Sequence, residues 1–279
     1  MKWSIICDSS CDILSLEHLS PDTDFSIAPL KILVGGEEFV DDEGLNRNAM
    51  LVSMANFKGA SSTACPSPFE WTSRFEAADY SIAICISSEL SGTYNSALTA
   101  KNLTLEKFGE KRIYVLNSKA TSGTMVLLAQ KANALIGCGL SFDEVINELE
   151  QYNNTMQLTF CLSTYGNLIK SGRMSAFSGA MASILGIRAV AKKSPKGEIQ
   201  VISKQRGDAN TYKFMANQMA ELKNLKACKV IISHCQNAQG AHKLKNALKE
   251  LHNCVDVHII ETRGLCSYYA GVGGIIVSY

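Results

Sequence analysis

The segment ISSELSGTYNSAL, Ile86–Leu98, sets Ser87, Ser88, Ser91, Gly92 and Thr93 between an apolar run and a helix-like stretch. Hydroxyls in such a place can attack a substrate, cradle a phosphate or grip a carboxylate. Attack by Ser91 needs a neighbouring base, usually a His oriented by an acid, and the chain has no G-x-S-x-G elbow. A phosphate cradle of the P-loop type needs a lysine at a spacing that SELSGTY lacks. A carboxylate accepts hydrogen bonds and donates none, so its site calls for hydroxyls, backbone N–H groups or arginine. Gly92 would let backbone approach closely, ahead of a helix start that favours an anion. The segment alone leaves gripping open beside attack, and a stand-alone hydrolase or transferase using Ser91 is the alternative from a different class.

Four more polar clusters follow apolar runs: CDSSCD (7–12), SSTACPSP (61–68), LNSKATSGT (116–124) and STYGNLIKSGRMS (163–175). Each taken alone serves a turn or a helix cap as readily as a ligand. Asp8 reads as a structural acceptor, and Ser9 and Ser10 as caps. Their common placement matters more, because α/β sheets bind ligands beyond the carboxyl ends of their strands.

The elements that would position these clusters are legible as an alternation. Near-continuous apolar runs predict strands at Ser4–Cys7, Ser81–Ser87, Arg112–Asn117, Leu158–Ser163, Lys229–His234 and Val255–Glu261. Between them lie helical patterns. Ser141 and Glu144 have capping-box spacing ahead of Val145, Leu149 and Tyr152. Phe214, Met215, Met219 and Leu222 form one stripe, and Ala241, Leu244, Leu248 and Leu251 another; both read as core. Strand alternating with helix predicts two α/β domains with mostly parallel sheets, 1–156 and 157–279. The second would include the Gly/Ser-rich IKSGRMSAFSGAMASILGIRAV.

Composition narrows the partners. Across 279 residues, 27 Lys and Arg stand against 26 Asp and Glu, a formal net charge of +1. No general field is set up for nucleic acid or anionic membrane. No apolar run approaches the roughly 20 residues that span a bilayer, and the N-terminus turns polar too soon for a secretory signal. Cys85, Cys138, Cys161, Cys228 and Cys254 sit singly in apolar runs and read as buried hydrophobes in a reducing cytoplasm. Cys7 and Cys11 lack a second pair, and the five histidines are scattered, so no metal site is expected.

Taken together, the clusters resemble the DegV family of bacterial fatty-acid-binding proteins from end to end. The resemblance rests on IICDSSCDI, Pro29–Leu30 with its Gly-Glu loop, STACPSPFEW, ISSELSGTYNSA, ATSGTM, LIKSGRMS, KGEI and RGDAN; Thr63, Pro66 and Ser67 and the LSGTYNSA run are its specific pieces. It implies a non-enzymatic, cytoplasmic carrier without cofactor. Such a carrier holds one long-chain fatty acid in an apolar tunnel of the N-terminal domain, near the domain junction. Its implied partner is a separate fatty acid kinase that makes the acyl phosphate. The family's head-group threonine falls on Thr63, its SGTY serine on Ser91 with Gly92 beside it, and an arginine of its G-G-R turn on Arg173, where Ser171 replaces the first glycine. Tyr269 stands where the family commonly has a head-group histidine, with Val272 in place of a proline, and Asn117 where it often has Asp. Tyrosine still donates a hydrogen bond but carries no positive charge near neutrality.

Overall fold

The structure is a computed structural model and describes residues 1–174 and 187–279. SAFSGAMASILG, within the Gly/Ser-rich stretch, therefore lies outside the described residues. Strand β1 (Trp3–Asp8) is buried along its whole length and pairs in parallel with β2 (Thr23–Ala28). The chain then builds a small antiparallel sheet from β3 (Lys31–Val34), β4 (Glu37–Val40) and β5 (Ser62–Ala64), with helix α1 (Arg47–Asn56) between β4 and β5. After α2 (Pro68–Phe75) it returns as β6 (Tyr80–Cys85) on the free side of β1. Helix α3 (Thr93–Lys107) and β7 (Arg112–Asn117) complete a parallel sheet of order β2-β1-β6-β7.

Alternate residues of that sheet feed different cores, which is why its strands read as continuous apolar runs. Ile6, Ala83 and Ile113 pack on Trp71 and Phe75 of α2 and on Ala97 and Ala100 of α3. Ile5, Ile82, Ile84 and Leu116 pack on Met125, Leu128 and Ala132 of α4 (Gly123–Gly137) and on Val145 and Leu149 of α5 (Phe142–Thr155). The capping box expected at Ser141 and Glu144 is present.

The second half supplies β8 (Leu158–Cys161), α6 (Gly166–Lys170), β9 (Ile187–Lys193), β10 (Ile199–Arg206), α7 (Asp208–Leu222), β11 (Val230–His234), α8 (Ala238–His252), β12 (Val257–Glu261), α9 (Gly264–Ala270) and β13 (Ile275–Ser278). Its sheet has the order β10-β9-β8-β13-β11-β12. Here the expectation of mostly parallel sheets needs correction. Strand β9 runs antiparallel to both β10 and β8, and β13 to both β8 and β11; only β11–β12 is parallel. The reason is local: β9 and β10 are joined by a short turn, which forces antiparallel pairing. The methionine and leucine stripes of α7 and α8 are core, except that Leu222 and Leu251 at their ends are exposed. Among the singly placed cysteines, Cys138 is exposed and Cys228 half-buried; the other three are buried.

Candidate functional site

An apolar cavity lies at the junction, and its walls come from the second half's sheet as well as from loops and β5 of the first half, rather than from residues 1–156 alone. Its empty space is about 780 Å³, counting the open solvent at its mouth. Along β8 and one residue past its end the wall residues are Leu158, Phe160 and Leu162, the alternate positions that an extended chain turns to one face. Leu30, Ile86 and Leu90 face them from the first half.

The CDSSCD motif holds that first half in place. The strand β1 ends in Asp8, whose Oδ1 accepts the Ser10 amide at 3.0 Å and the Ser10 hydroxyl at 2.5 Å, capping a short turn. Its Oδ2 accepts the Ile86 amide at 2.7 Å, and Ser9 Oγ accepts the Leu30 amide at 3.0 Å. Two cavity walls thus hang from one turn. Asp8 is a structural acceptor, as the sequence suggested. Burial pushes its carboxyl up to about 6, against the hydrogen bonds from Ser10 and Ile86 that favour the charge.

Asp12 ties the halves together. It takes a left-handed backbone conformation and accepts from Ser122 Oγ at 2.5 Å and from the Arg263 amide at 2.7 Å. Ser233 Oγ on β11 lies 2.7 Å from Ser122 Oγ. Burial pushes Asp12 up to about 7. Asp41, at the end of β4, accepts the amides of Gly264 and Leu265 at 2.9 and 2.8 Å and so anchors the start of α9. A Cβ on Gly264 would fall 2.7 Å from the Asp41 carboxyl carbon, so glycine is what allows this approach. Burial again drives the Asp41 carboxyl upward.

Helix α9 delivers Tyr269 to the cavity, and β5 delivers Thr63; their hydroxyls lie 3.0 Å apart. Ser91 lines the same cavity from the loop before α3, with its Oγ 2.8 Å from Thr93 Oγ1. No histidine or acid bonds Ser91 among the described residues; the Thr93 hydroxyl and amide are its side-chain partners. Arg173 also lines the wall, held by Nε to the Leu90 carbonyl at 3.0 Å and by Nη1 to the Ser171 carbonyl at 2.7 Å. Four of the five residues singled out from the sequence thus meet at one cavity. Gly92 does not. It sits at the N-cap of α3 with φ −71°, a conformation open to other residues, and is not part of the wall.

The loops converge through side-chain clamps. The Ser87 hydroxyl donates to the Gly197 carbonyl at 2.9 Å, joining the β6 loop to the β9–β10 turn. Asn117 accepts the Ser88 and Lys119 amides at 3.3 and 3.0 Å and donates to Ser88 Oγ at 2.8 Å. Sequence reasoning missed Lys119, Lys193 and Glu198, which also border the cavity. A lysine at a strand end reads as solvated surface, and only the sheet register brings these together. Among the described residues no cluster of His, Cys, Asp and Glu could hold a metal ion.

A family model described as an uncharacterised protein of the DegV family matches residues 2–279. A DegV domain-containing protein of Streptococcus gordonii is 36% identical over 279 residues, covering 100% of this chain and 99% of that one. Among solved structures, the Streptococcus pneumoniae fatty acid kinase B3 protein loaded with linoleic acid superposes with a TM-score of 0.97 at 34% identity, covering 100% of this chain and 99% of that one. A DegV family protein from Eubacterium eligens, loaded with heptadecanoic acid, gives a TM-score of 0.94 at 32% identity, with 99% and 98% covered.

Proposed function

The chain belongs to the DegV family, and on that footing we propose that it binds one long-chain fatty acid in the cavity between its sheets and presents the carboxyl group to a separate fatty acid kinase. The observation that carries this reading is the meeting of Thr63, Ser91, Tyr269 and Arg173 beside a wall of Leu30, Ile86, Phe160 and Leu162. The first three are neutral hydroxyl donors, and Arg173 adds a fixed positive charge. A carboxylate gains about 1.5–3 kcal/mol from each hydrogen bond of this kind. The acyl tail supplies most of the affinity, about 0.8 kcal/mol per buried CH₂ before the costs of association.

The fatty acids held by the Streptococcus pneumoniae and Eubacterium eligens proteins support the ligand class, and the name of the former supports the partner. In this reading residues 1–156 and 157–279 are two lobes closing on the ligand within the cytoplasm, with no cofactor. The chain performs no covalent step itself: among the described residues no histidine or acid hydrogen-bonds Ser91. Its part is to orient the carboxylate for phosphoryl transfer by the kinase.

The test is a fatty acid titration of lipid-stripped protein. Thr63→Ala and Ser91→Ala should each weaken binding about tenfold, the loss expected for one hydrogen bond to a charged group, with melting temperature retained. Wild-type affinity in both variants would place the head group elsewhere.

A further inference from the structure

The cavity has a second polar end, and it is cationic. Thr159 of β8 stands opposite Lys192 of β9, so one step further Lys193 comes beside Leu158, and across the next ladder it faces Ile199. Leu158, Lys193 and Ile199 all line the cavity. Tyr269 belongs to the other end of β8, where the Ser163 amide donates to the Ala270 carbonyl at 3.2 Å. From Leu158 to Leu162 a strand runs about 13 Å. Lys193 and Tyr269 therefore approach the cavity from opposite ends of β8, with Phe160 and Leu162 on the wall between them.

Lys119 reaches the same end from the loop after β7. Gly197, at φ +96°, allows that packing, since a Cβ there would fall 2.9 Å from Lys119 Cα and 2.3 Å from Ser87 Oγ. Little around these lysines neutralises them. Among the described residues Lys193 has no hydrogen-bond or ion-pair partner, and Lys119 Nζ finds the neutral Asn154 Oδ1 at 3.5 Å. Nearby Lys223 donates to the Thr155 carbonyl at 3.3 Å. Glu198 also borders this end, but it accepts from Ser194 Oγ at 3.3 Å and forms no ion pair among the described residues. Burial, with the charges of Lys119 and Lys223 adding to it, pulls the Lys193 ammonium down to about 8. The methyl terminus of a simple fatty acid would leave such a group uncompensated.

We propose that Lys193 and Lys119 form an anion-binding end of the cavity opposite Thr63 and Tyr269, and that the protein takes acyl ligands bearing a carboxylate at the distal end, dicarboxylic fatty acids being the simplest. The proposal rests on the reading of the Thr63 end as the head-group site.

The experiment titrates lipid-stripped full chain with dodecanoic, tetradecanoic and hexadecanoic acids and with the dioic acid of each length. The readout is the ratio of diacid to monoacid affinity at each length. Lys193→Met should lower the best ratio about tenfold, the loss of one charge-assisted contact, and Lys193→Arg should keep it near the wild-type value. The same ratio in wild type and Lys193→Met at every length would overturn the proposal. Thr63→Ala separates the two readings: it should weaken both acids together, and a Thr63→Ala protein that binds the monoacids as wild type does would sink the head-group reading instead.

Discussion

Tyr269 is the residue in which this chain departs most from the pattern it otherwise resembles, and its hydroxyl lies 3.0 Å from that of Thr63. Two hydroxyls can both turn their protons toward a carboxylate. An imidazole at this position would add a group that changes charge in the physiological range. Its ordinary pKa near 6.5 means that it becomes cationic as pH falls through that value. Tyr269→His should therefore give fatty acid affinity that rises as pH is lowered from about 8 to about 6, more steeply than in the wild-type chain. Titrations across that range check it; equal slopes in the two proteins would show that residue 269 does not face the head group.

At the scale of elements, the turn after β1 does the positioning. Asp8 carries the Ile86 loop and Asp12 fastens Ser122, at the start of α4, to Arg263, just before α9. Both carboxyls are buried and held above 3.8, at about 6 and about 7. Between pH 4 and 7 the folded chain thus keeps protons that the unfolded chain has released. The stability from this source is fully present below about pH 4 and is lost as pH rises to about 7. Asp12→Asn should flatten that fall, because asparagine tolerates the left-handed conformation and can still accept from the Arg263 amide. Thermal melts over this range measure it, and an unchanged slope would contradict the assignment.

Much of this scaffold was legible in the sequence. The buried parallel strands announce themselves as apolar runs, and Ser141 with Glu144 marks the start of α5. Strands such as β2 and β10 alternate or mix polar residues, and β13 carries no sign of its direction, since periodicity does not distinguish parallel from antiparallel neighbours. Thr63, Ser91, Arg173 and Tyr269 could be named from motif resemblance. Lys193 could not, because its position depends on the pairing of β8 with β9.

For the whole molecule, the decisive feature is a cavity shared by its two halves. Its wall takes Leu30 and Ile86 from loops of the first half and Phe160 and Ile276 from the sheet of the second. A bound acyl chain would stand between the halves and add apolar contact to both, which makes the ligand part of the packing as well as the cargo. The measurement that addresses this most directly is mass spectrometry of protein purified from a bacterial host, first under native conditions and then after denaturation. The expected native mass exceeds that of the chain by one fatty acid, which is released and identified on unfolding. Protein that emerges without lipid and also fails to take up added fatty acid would contradict it.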